Sequence, residues 1–171
     1  MNKSILLIFV FIILAINVHA WNSKTHESLV ENIYYSMPEN LQAKLNLSEL
    51  KYGSTTPDLV FHDTVRHHYP TSQELAYKYL SNIKNISDFS YNFGVAAHYI
   101  SDSFVAPHSV SGEDGNLHTK FEKQVNNYVI QSKCNNYNFT LNDLYISAEN
   151  KQDWQPWLDT RNPEIPAKEL E

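Results

Sequence analysis

Apolar residues recur along this chain at intervals of three and four, and no segment holds the apolar–polar alternation of a half-buried strand. Between Thr25 and Ser36 the stripe runs through His26, Val30 and Ile33, and Met37-Pro38 closes it. Glu39 to Leu45 predicts a short second helix. Gly53-Ser54-Thr55-Thr56-Pro57-Asp58 and most of the stretch on to Pro70 predict loop, because glycine, proline and small hydroxyl residues punctuate rather than propagate. Thr71 or Ser72 is placed to cap a helix reaching about Ile83, and Ser87 or Asp88 a long central helix reaching about Phe104 before Pro107 stops it. Asn116 to Gln131 and Thr140 to Asn150 predict two more helices. No repeat is visible, and the expected fold class is all-α, a single compact multi-helix domain.

The first twenty residues have a different character. Lys3 supplies a positive start, Ile5 to Ile16 is almost unbroken apolar sequence, and Val18-His19-Ala20 ends in the small-residue pattern of a cleavage site. Residues 1–20 are therefore expected to be a signal peptide, too short in its apolar part for a span of about 20 residues. The mature chain would begin at Trp21 and leave the cell, with retention at the cell surface as the variant of that expectation. At the other end, the chain from about residue 151 reads as a polar, proline-bearing tail. Its Trp154 and Trp157 are expected to pack the tail against the body; the alternative role for them is contact with a membrane surface.

Charge and cysteine content narrow the picture. The formal net charge is −6, and the 13 Lys and Arg residues are scattered singly, which argues against a polyanion-binding groove. Bound dications would offset much of this negative charge. Cys134 is the only cysteine, so no intrachain disulfide can form, and a secreted domain of this kind must be held by its core or by metals. Asn46-Leu-Ser, Asn85-Ile-Ser and Asn138-Phe-Thr match the glycosylation acceptor pattern.

The candidate chemistry is concentrated between Ala97 and Lys123. His98 and Asp102 are four residues apart, as are His118 and Glu122, and His108 lies midway between the two pairs. Helical residues at i and i+4 stack on one face with Cβ atoms about 5–6 Å apart, so each pair can aim a nitrogen and a carboxylate at one cation. Zinc takes such ligands. Burying so many ionisable groups without a cation would be costly. His26, Asp58, His67 and His68 are further donors upstream, whereas His62 and Asp63 read as surface loop residues. The donors outnumber what one tetrahedral ion can use.

Together these stretches resemble the zinc-dependent phospholipase C family, within the superfamily that also holds the S1/P1-type nucleases. The resemblance lies in Trp21 with Thr25-His26, the Gly53–Asp58 segment, His68-Tyr69, and the run from Ala97-His98-Tyr99 to Glu122, and it covers most of residues 21–128. It implies an all-helical domain around a cleft holding three zinc ions. Trp21 would ligate through its free α-amino nitrogen and carbonyl oxygen, with His26 and Asp102. Asp58, His68, His98 and Asp102 would hold a second ion, Asp102 bridging, and His108, His118 and Glu122 the third. Spacing leaves both His67 and His68 open, but relatives usually read Asp-His-Phe at this point, which aligns His68 with the ligand.

The activity implied is phosphodiester hydrolysis in which Asp58 orients or deprotonates the attacking water. The expected substrate is a glycerophospholipid at a membrane surface, cut to diacylglycerol and a phosphorylated head group. No nucleic-acid partner is favoured and no obligate protein partner is evident. Two alternatives remain: a nuclease or other phosphodiesterase on the same scaffold, and a metal-stapled binding domain without turnover.

Overall fold

The computed structural model describes residues 21–130 and 150–170, and all regular structure among them is helical. The expected all-α class is thus observed. The expected signal peptide, Cys134, the acceptor pattern at Asn138 and the expected helix from Thr140 lie outside the described residues, apart from Asn150 at that helix's end.

Helix α1 (Ser23–Ser36) starts where the Asn22 side chain accepts the backbone N–H groups of Lys24 and Thr25, and it buries Thr25, His26 and Val30. After the short α2 (Glu39–Gln42), Asn46 caps α3 (Leu47–Leu59) in the same way. The expected loop over Gly53–Asp58 is instead the buried C-terminal half of α3. The hydroxyls of Ser54, Thr55 and Thr56 donate back to the carbonyls of Lys51 and Tyr52 at 2.8, 3.1 and 2.8 Å. Side chains that favour turns when exposed are satisfied here inside a helix. Within that expected loop, only residues 60–70 are irregular.

Helix α4 (Thr71–Ser81) follows Pro70 with no side-chain cap. Helix α5 (Ile86–Asp102) is capped by Asn85, which accepts the Asp88 N–H at 2.9 Å, rather than by Ser87 or Asp88. A 3-10 turn (Ala106–Ser109) and α6 (Gly115–Lys123) come next. Helix α6 stops well short of the expected Gln131, and the Gln124 side chain at its end engages the C-terminal segment: its Oε1 accepts the Trp157 indole N–H at 2.7 Å and its Nε2 donates to the Arg161 carbonyl. That segment, expected as a polar tail, forms α7 (Asn150–Thr160) and α8 (Glu164–Lys168).

Two packings position the site. Helix α3 lies most extensively on α5, and glycines let the backbones touch: a Cβ on Gly53 would sit 2.2 Å from the Tyr91 carbonyl oxygen, and one on Gly94 2.2 Å from that of Leu50. This brings the end of α3 beside the last turns of α5. The second packing is an aromatic core of Trp21, Phe121, Trp154 and Trp157, in which Trp154 and Trp157 stack at 5.2 Å and Phe121 meets Trp157 edge-on at 5.1 Å. It holds α7 against the 3-10 turn and α6. The tryptophans do pack the C-terminal segment onto the body.

Candidate metal centre

Helix α5 presents His98 and Asp102 on one face, both fully buried, with His98 Nε2 3.2 Å from Asp102 Oδ2. Helix α1 brings His26 alongside: its ring stacks on His98 at 4.0 Å and its Nε2 lies 3.3 Å from Asp102 Oδ1. The Trp21 backbone hydrogen-bonds the His26 ring, so Trp21 sits at this edge of the cluster. The α3–α5 contact delivers Asp58, whose Oδ1 is 3.5 Å from His98 Nε2. On α6 the i, i+4 pair forms as expected, with His118 Nε2 2.6 Å from Glu122 Oε1. The 3-10 turn points His108 Nε2 to within 3.0 Å of His118 Nε2.

The structure seats His67, not His68, among these donors. His67 is buried, with Nδ1 2.6 Å from Asp102 Oδ2 and Nε2 3.9 Å from Asp58 Oδ1. His68 stands in none of the donor groups: its ring stacks on His108 at 5.1 Å and its Nδ1 donates to the His108 carbonyl at 2.6 Å. Donor atoms lying within 4.8 Å of one another form four overlapping groups: His26, His98 and Asp102; Asp58, His67 and His98; His67, Asp102 and His108; and His108, His118 and Glu122. Every expected ligating side chain except His68 is therefore gathered in one place. Asp63, which reads as a surface residue in the sequence, is buried as well.

The electrostatics are those of a site built around positive charge. Burial pushes His98 and His108 well below the usual imidazole range, and His26 and His118 down to about 4. These rings are neutral at neutral pH, the form that ligates. Burial, reinforced by Asp102, pushes the Asp58 carboxyl up, and burial does the same to Glu122. Asp102 goes the other way: His98, His26 and His67 around it outweigh burial and hold it ionised. His67 is raised, because its hydrogen bond to Asp102 and the nearby carboxylates outweigh the effect of burial.

His26 Nε2, His67 Nε2, His98 Nε2 and Asp102 Oδ1 are buried without a hydrogen-bond partner. Four such atoms converging in one core are costly unless a common partner satisfies them. A cation taking nitrogen and oxygen donors does so, and the set suits zinc. The site meets solvent at a cavity of about 680 Å³ whose wall includes His68, Tyr69, His108 and Glu113.

An all-helical domain whose buried imidazoles and carboxylates converge in overlapping trios is compatible in class with zinc binding. A family model described as zinc dependent phospholipase C matches residues 25–169. The chain belongs to that family. No curated protein and no solved structure matches it.

Proposed function

We propose that the protein is a secreted zinc phosphodiesterase that hydrolyses glycerophospholipids at a membrane surface to diacylglycerol and a phosphorylated head group. The observation that carries this reading is the convergence of the four donor groups in a chain of this family. On this reading the cluster would hold three ions. Trp21, His26 and Asp102 would hold one, Asp58, His67, His98 and Asp102 a second, and His108, His118 and Glu122 the third.

When bound, zinc supplies Lewis acidity toward phosphate oxygens and lowers the pKa of water toward neutrality. The chain's own contribution is orientation and proton handling. Asp58, at the edge of the cluster on the rigid end of α3, would orient the attacking water and take its proton. The buried rings keep the donors dry and fixed, so they need no rearrangement when charge develops on the phosphate. His108, at the cavity wall, places one donor group next to solvent, where a phosphate can enter. Scattered cations and a net charge of −6 favour a lipid over a polyanionic substrate.

The test is turnover by protein beginning at Trp21, offered mixed phospholipid vesicles and single-stranded nucleic acid in parallel, each with and without a chelator. Chelator-sensitive release of phosphorylated head group is the expected result. Cleavage of nucleic acid alone would transfer the site to the nuclease branch. Retention of zinc with no turnover of either substrate would make the metals structural.

A further inference from the structure

Asp63 lies outside every donor group, yet it is buried and uses both carboxylate oxygens. Its Oδ1 accepts the backbone N–H groups of Val65 and Arg66 at 3.3 and 3.1 Å, closing the turn that leads into His67. Its Oδ2 accepts the Tyr99 hydroxyl at 2.8 Å and forms an ion pair with Arg66 Nε at 2.9 Å. Its own N–H donates to the Pro57 carbonyl at 3.0 Å. One residue thereby ties the His67 turn to α3 beside Asp58 and to α5 beside His98. His62, just before it, holds φ at +50°, a backbone position that non-glycine residues adopt at a cost and that surrounding contacts must enforce.

The link to the cluster runs through Tyr99. Its ring meets the His67 ring edge-on at 5.7 Å and the His98 ring edge-on at 5.5 Å, so the hydroxyl that grips Asp63 belongs to the surface on which His67 rests. His67 has no helix to aim it. Its direction depends on where the turn ends and what the ring meets: Asp63 closes the turn and holds the Tyr99 hydroxyl, and Asp102 Oδ2 takes the ring at 2.6 Å.

We propose that Asp63, working with Tyr99, is the positioning residue that selects His67 over His68 for metal ligation. This rests on the reading that the cluster holds zinc, but not on what the loaded site cleaves. Groups that orient metal ligands typically change metal affinity about 10–100-fold when removed.

The experiment is zinc titration of protein beginning at Trp21 against a competing chelator, for the parent, Asp63→Asn, Tyr99→Phe, His67→Ala and the Asp63→Asn/His67→Ala double variant. Circular dichroism checks the fold of each. Asp63→Asn should weaken one ion about 10–100-fold and leave the rest unchanged. In the His67→Ala background it should weaken binding little further, because both changes act on the same ligand. Wild-type affinity for every ion in folded Asp63→Asn overturns the proposal, as does full additivity with His67→Ala or an unaltered zinc complement in His67→Ala. If Asp63→Asn does not fold, Tyr99→Phe decides: a selective loss at one ion supports the role, and wild-type affinity overturns it. Wild-type protein that binds zinc but cleaves no phospholipid would remove the lipase reading and leave this inference standing.

Discussion

His98 is aimed by what its other nitrogen does. His98 donates from Nδ1 to the Ser54 carbonyl at 2.8 Å, leaving Nε2 for the centre. On α6, Glu113 Oε1 stands 3.6 Å from His118 Nδ1, beyond hydrogen-bond distance. A partner such as the Ser54 carbonyl fixes the tautomer and ring angle that a metal requires. At Asp58 the same logic gives a prediction. Asp58→Asn keeps one donor oxygen but cannot accept a proton, so zinc content should stay near that of the parent while kcat falls about 10²–10⁴-fold, the usual worth of a general base. Metal analysis beside initial rates separates the two, and an unchanged kcat would remove the role. At this scale the helical pairs His98/Asp102 and His118/Glu122 were legible, because a four-residue step on a helix has one geometric meaning. The choice between His67 and His68 was not. Two adjacent histidines in a turn are equivalent by spacing, and the long-range contacts that distinguish them, His67 with Asp102 and His68 with the His108 carbonyl, are invisible to local pattern.

The helices show why local pattern misjudged α3. Gly53, Pro57 and three hydroxyl residues in a row read as loop, yet the segment is helical because it must pass within contact of the α5 backbone, where larger side chains would not fit. The glycines supply the approach, and the hydroxyls satisfy themselves on carbonyls one turn back. The C-terminal segment was misjudged for the opposite reason: its polar and proline-rich composition hid α7, whose Trp157 is fully buried. Each packing can be tested. Gly94→Ala places a methyl group 2.2 Å from the Leu50 carbonyl oxygen, a backbone atom that cannot swing away. Denaturant unfolding of the apo protein should show a loss at or above the ~1–3 kcal/mol typical of overpacking, and chelator competition should show weakened zinc binding because Asp58 shifts from His98. Trp157→Ala should cost about 3–5 kcal/mol by the same measurement. It should also loosen the His108 donor group, since α7 braces the 3-10 turn that carries His108.

Over the whole molecule, folding and metal loading address the same buried charges. Trp21 is buried with its backbone against His26, so a chain ending there would place its α-amino nitrogen at the cluster. A peptide nitrogen has no lone pair to give, so protein carrying an extension before Trp21 should bind fewer zinc ions per chain than protein cleaved there; equal stoichiometry by metal analysis would discount the terminal amine. The second consequence is a proton count. Without metal, burial raises Asp58 and Glu122, and hydrogen bonding to Asp102 raises His67 against the effect of burial, so these groups hold protons that ligation must expel. His26, His98, His108 and His118 are lowered and already neutral at pH 7, so they contribute almost none. Zinc binding at neutral pH should therefore release protons, drawn from the two carboxyls and His67. The release should shrink as pH rises and those groups ionise before the metal arrives. It should grow as pH falls toward about 4, where His26 and His118 begin to carry protons of their own. Calorimetry of zinc binding in buffers of different ionisation enthalpy reads this number directly. Zero release at pH 7 would mean that the carboxyls are already ionised in the apo protein, and that the cluster is more open to water than its burial shows.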